Sequence, residues 1–136
     1  MVRISWVQTS AMPDLKWANL EGAYLVGADL RNTQLVTANL MNANLVNANL
    51  VNANLNWANL EGANLMGTDL RYARLENAIL SEAKMEGANL VNAKLIQSNL
   101  TGTNLRDASL FDADLTNANL ENADLTDAWL WYANLT

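Results

Sequence analysis

The sequence predicts an all-β repeat rod, in which short extended pieces and tight turns alternate along one continuous coil. Three observations predict it. Leucine recurs every fifth residue from Leu15 to Leu135, and Met85 is the single exception among twenty-five positions. Two residues before the leucine stands alanine almost throughout, with Thr33, Thr68, Ser98 and Thr103 as small substitutes and Pro13 at the start. Two residues after it stands mostly glycine, asparagine or aspartate, and all six glycines fall there.

A period of five fits neither regular element alone. A helix turns 100° per residue, so leucines five apart would spiral around it without making a face. A continuous strand alternates its side chains, so successive leucines would point to opposite sides. A unit with its own corner resolves the conflict. Gly, Asn and Asp tolerate the positive φ that the third residue of a type II turn requires, so each leucine begins a turn that the second residue after it closes. Trp17, Trp57, Tyr72, Glu82 and Tyr132 break the pattern, and their bulk predicts that some corners turn without positive φ.

Uncommon residues indicate how many corners close a coil. Trp17 and Trp57, Arg31 and Arg71, and Asp29 and Asp69 are each separated by 40 residues. Tyr72 and Tyr132 are separated by 60. Four units of five per coil, with roughly right-angled corners, fit these multiples of 20, although duplication of a 40-residue block would give the same spacings.

The strings ANLVN, ANLEG, ADLRN and ADLTN resemble the A(D/N)LXX signature of the pentapeptide-repeat proteins, and the resemblance runs from Pro13 to Thr136. It implies a right-handed quadrilateral β-helix, with Leu and the small residue inward and the other three positions outward, here of about six coils and on the order of 30 Å long at the strand spacing. Residues 13–136 form this one domain. Residues 1–12 are expected to cap the first coil, because Val2, Ile4 and Trp6 alternate with Arg3 and Ser5 as in a half-buried strand.

Charge is unevenly placed. The net charge is −6, and residues 107–136 carry six acids with no Lys or Arg, so that segment alone equals the total. An acidic end argues against direct nucleic-acid binding and mildly favours basic partners. Asp107, Asp112, Asp124 and Asp127 form the candidate acidic surface. No run of 18 apolar residues exists, so no transmembrane helix is expected. The first residues lack the apolar core of a secretory signal, and the default setting is cytoplasmic.

The chain has no His and no Cys, and its glycines keep turn register rather than forming a phosphate loop. Acids at outward positions of a convex rod are expected to titrate as solvated groups, so no catalytic pair is expected. Asp107 and Asp127, one coil apart near Asp124, lack the six to eight oxygens of a calcium site. No cofactor or metal is expected. The row Asn19, Asn39, Asn59, Asn99 and Asn119, interrupted by Ile79, is expected to bond amide to amide. Phe111, Trp129, Trp131 and Tyr132 make the C-terminal end aromatic, as a homodimer contact or as a stack of Phe111 on Trp131.

These readings converge on a non-catalytic interaction scaffold whose partner the residues do not name. The alternative, a DNA mimic that binds DNA gyrase and protects it from inhibitors, comes from a subset of the resembling family.

Overall fold

The computed structural model describes residues 14–136. The expected cap, residues 1–12, and Pro13 lie outside the described residues. Each five-residue unit contributes one residue, the one before the leucine, to a parallel pairing with the coil above. These pairings join residue i to residue i+20, from Asp14–Gln34 to Asp114–Asn134. Four units therefore separate stacked partners. Only a few extended residues fit between corners, so each side of the coil is a strand one pairing wide.

Every corner has the same backbone. The N–H of the residue three after each leucine bonds that leucine's carbonyl, as in Ala48 to Leu45 at 2.9 Å and Ala58 to Leu55 at 3.0 Å. The second residue after the leucine has positive φ at all positions from Trp17 to Tyr132. The residue between has none, which is the signature of a type II turn.

The expectation that bulky residues would escape positive φ is wrong. Trp17 (62°), Trp57 (63°), Tyr72 (59°), Glu82 (58°) and Tyr132 (62°) all adopt it, as does the β-branched Thr37 (57°). Stacking imposes the conformation. The N–H at that position bonds the carbonyl of the corner above, Trp57 to Glu76 at 3.0 Å and Tyr72 to Val91 at 3.1 Å. Left-handed backbone costs an L-residue about 1–2 kcal/mol, whereas a buried ladder broken at one corner would orphan a donor and an acceptor.

Leucine and alanine fill the tube. Leu35 to Leu80 and Met85 are essentially inaccessible, with Ala38 to Ala63 beside them. Alanine fits because a larger side chain beside each leucine would overpack the interior. Thr68 and Thr103 replace alanine by donating their hydroxyls to Leu45 O and Leu80 O, each at 2.9 Å, and Ser98 donates to Leu95 O at 2.7 Å. Thr33 is equally buried, but its Oγ1 has no partner among the described residues. Outward, Gly62 and Gly67 leave room that the coil below uses: a Cβ there would meet Asn42 Oδ1 at 2.6 Å and Asn47 Oδ1 at 2.5 Å.

Candidate functional site

The residue before each leucine sets the local geometry of the surface. When it is Asn or Asp, its side-chain oxygen commonly accepts the backbone N–H two residues on, for example Asn39 from Met41 at 3.1 Å and Asp114 from Thr116 at 3.1 Å. This local turn competes with amide stacking. The expected amide ladder is accordingly sparse. In the row Asn19 to Asn119, Asn39 Nδ2 reaches Asn19 Oδ1 at 3.2 Å, and no other amide pair of that row is joined among the described residues.

The same position changes the acids. Asp29 and Asp69 hold bidentate pairs with Arg31 and Arg71, at 2.6–2.9 Å for the closest contacts. The guanidinium hydrogen bond holds each carboxyl below the usual carboxylate range, against a smaller opposing effect of burial. Asp114 and Asp124 are lowered chiefly by hydroxyl donation from Thr116 and Thr126. The expectation that all acids titrate as ordinary solvated groups is therefore corrected for these four, because local donors favour their charged form.

Asp107 and Asp127 stand one above the other on a corner, and Asp124 lies on the side preceding Asp127. Asp112 is one corner farther along the chain, so the acids ring the rod rather than share one patch. Asp124 is also partly neutralised: Arg106 Nη1 lies 3.3 Å from its Oδ2. Sequence reading missed that pair because Arg106 falls just before the acidic segment, eighteen residues away in the chain. No cluster of three or more acids placed to hold a metal occurs among the described residues.

Trp129 (71%), Trp131 (74%) and Tyr132 (79%) are exposed, and Leu135 is half-exposed. Phe111 does not stack on Trp131. It meets Tyr132 edge to face, with ring centroids 5.4 Å apart and planes at 81°. Trp131 is directly above Phe111 in register, but Tyr132 occupies the left-handed corner position and its ring reaches Phe111 from there. Edge-to-face is the arrangement the ring quadrupoles prefer.

Two further tryptophans stand out in the structure. Trp17 (77% exposed) and Trp57 (60%) project from one corner, two coils apart, with half-buried Thr37 between them. Their bulk at a turn position marked them in the sequence, but only the observed positive φ makes their exposure costly. No described helix is long and apolar enough to cross a membrane.

The family model of pentapeptide repeats matches over residues 14–50, 48–87, 88–127 and 118–136. No curated protein matches. Among solved structures, a pentapeptide repeat protein (Rfr23) from the cyanobacterium Cyanothece 51142 is 35% identical, with a TM-score of 0.53. The match covers 76% of this chain and 64% of that one, so this chain spans just under two thirds of its length. HetL, a pentapeptide repeat protein involved in heterocyst differentiation regulation from Nostoc sp. strain PCC 7120, is 36% identical, with coverage of 88% and 67% and a TM-score of 0.37. A pentapeptide repeat protein from the Arabidopsis thaliana thylakoid lumen is 29% identical, with coverage of 71% and 67% and a TM-score of 0.41.

Proposed function

Because the chain belongs to the pentapeptide-repeat family, we propose that it is a non-catalytic scaffold, a right-handed rod of about six coils that binds protein partners on its outer rows. The observation that carries this is the division of labour within each unit. Leucine and the small residue are consumed by the core, while three positions of five stay outward on a rigid frame. A frame already ordered loses little entropy on binding. In this reading residues 1–12 cap the first coil, and the setting is cytoplasmic.

The partner surface we favour is the acidic and aromatic end, with Asp107, Asp112, Asp124 and Asp127 around it. The exposed Trp129, Trp131 and Tyr132, with Phe111 behind Tyr132, form the apolar part and suit a second copy of the chain. Light scattering at high concentration is the test. A dimer mass that falls to monomer in Trp129→Ser/Trp131→Ser supports end-on pairing, and a monomer mass for the unaltered chain removes it.

The second reading, mimicry of duplex DNA toward gyrase, draws on the same four acids. Two acidic ends joined through the aromatics would extend a ring of negative charge along a longer rod. It requires salt-sensitive relief of gyrase inhibition in a supercoiling assay, lost when Asp107, Asp112, Asp124 and Asp127 become Asn. No effect on supercoiling, together with a partner cross-linked through the acidic end, would leave the scaffold reading alone.

A further inference from the structure

We propose that the corner bearing Trp17, Thr37 and Trp57 is a docking edge for a proline-rich peptide segment in the polyproline II conformation. The inference rests on the scaffold reading and adds the chemistry of one partner, on a surface separate from the aromatic end.

The starting observation is strain without packing in return. Both tryptophans sit at φ near +62°, where Asn or Gly is the easier residue, and most of each indole lies outside the rod. Such outliers point from structure to function when the surrounding fold does not use the side chain. Between them the corner dips. Thr37 and Val36 are half-buried, and Thr37 Oγ1 is turned back onto Val36 O at 2.5 Å. The hydroxyl is thus spent internally, leaving an apolar floor between two projecting rings.

Spacing selects the ligand. Two coils at the strand separation place the indoles about 9.6 Å apart along the axis. One turn of polyproline II, three residues at about 3.1 Å each, advances about 9.3 Å. A proline helix running along the corner would therefore offer an equivalent ring face to each tryptophan. Aromatic faces with interposed notches are the usual receptor for such segments.

Hydrogen bonding selects it again. Three amide oxygens beside this corner are engaged, Asn19 Oδ1 by Glu21 N, Asn56 Oδ1 by Glu76 N, and Asn59 Oδ1 by Glu61 N, whereas Glu76 Oε2 above Asn56 has no partner among the described residues. The Nδ2 groups of these three residues and the two indole N–H groups have no partner among the described residues. The edge is rich in spare donors. A proline backbone carries carbonyl acceptors and no N–H, so it complements those donors.

The test uses the full chain titrated with decaproline, followed by indole N–H cross-peaks and tryptophan emission. Decaproline should shift the Trp17 and Trp57 signals. Trp17→Asn and Trp57→Asn should each weaken binding at least about tenfold, as loss of a central aromatic anchor does, and Tyr72→Asn, at a different corner, should leave it unchanged. Asn is the ordinary residue of this turn, so the melting temperature of both variants should hold or rise, which separates lost binding from lost fold. The proposal is overturned if decaproline binds no better than a Gly-Ser peptide of equal length. It is overturned equally if binding survives in the double variant, or if cellohexaose shifts the two indoles and decaproline does not. A protein partner held through the acidic end and indifferent to both tryptophans would sink this inference while leaving the scaffold reading intact.

Discussion

The middle coils and the last one are built from the same words and behave differently. ANLEG at 58–62 buries Leu60 completely, while ANLEN at 118–122 leaves Leu120 half-accessible, and Leu135 is 53% exposed. Hydrogen bonding differs in the same way. Leu65 N–H bonds Lys84 O at 2.7 Å, whereas the N–H of Leu125 has no backbone acceptor among the described residues. A pentapeptide therefore does not contain its own stability. Its leucine is finished by the coil on either side, as expected when each repeat contacts only its neighbours.

The largest test of this contrast is truncation of a leucine in each region. Leu65→Ala should cost about 3–5 kcal/mol, because the rigid tube cannot collapse onto the cavity. Leu135→Ala should cost less than about 1 kcal/mol, since half of its side chain is already in water. Urea unfolding of both variants measures the difference. Equal losses would mean that the last coil is as well packed as the middle.

Smaller in size, but sharper in design, is the set of buried hydroxyls. Thr68→Val removes the donor to Leu45 O and should destabilise by about 1–2 kcal/mol. Thr33→Val removes a hydroxyl that bonds nothing among the described residues. It should be neutral or stabilising, since burying an unsatisfied polar group is itself a cost. The same isosteric substitution should thus change sign with the presence of one acceptor.

The frame was legible because its cause is local and repeated. Leucine at every fifth position, with small residues and turn residues at fixed offsets, gave the unit and its corner, and the family resemblance those residues carry implied which positions face inward and outward. The conformation of Trp17, Tyr72 and Glu82 was not legible, because intrinsic preference argues against positive φ there and a ladder bond to another coil overrides it. Phe111 was assigned to the wrong aromatic partner for a related reason. Register by twenty names the residue directly above, but side-chain direction at a left-handed corner brings the diagonal neighbour into contact. The candidate acidic site was legible as composition only. Its division around the rod and the Arg106–Asp124 pair depend on stacking.

Strained corners offer the next comparison, now between turn residues that differ only in side chain. Tyr72→Asn keeps the backbone donor and replaces a bulky residue by one that tolerates left-handed φ. The melting temperature should rise, by an amount equivalent to up to about 1 kcal/mol. Asn77→Ala, at the same turn position one unit later, should lower it. If both substitutions lowered stability, the tyrosine ring would be contributing packing that its 54% exposure conceals.

The smallest effect is electrostatic, and its sign follows from the aspartates. Asp69 is held below the usual carboxylate range chiefly by its bidentate bond from Arg71, and its side chain is 27% exposed. A carboxyl whose folded value is depressed adds stability that is fully present above its unfolded value, about 3.9. That stability is lost as pH falls through the folded value. Thermal melts should therefore show the chain weakening below about pH 4, and Asp69→Asn should remove part of that slope while lowering stability slightly at neutral pH. Added salt should weaken the contribution, because the pair lies at the surface. Asp124, whose lowering comes first from Thr126 rather than from a cation, should give a slope that salt changes less. A salt response identical at the two aspartates would show that the arginine and threonine donors are equivalent, and would remove the distinction drawn here between charge pairing and local capping.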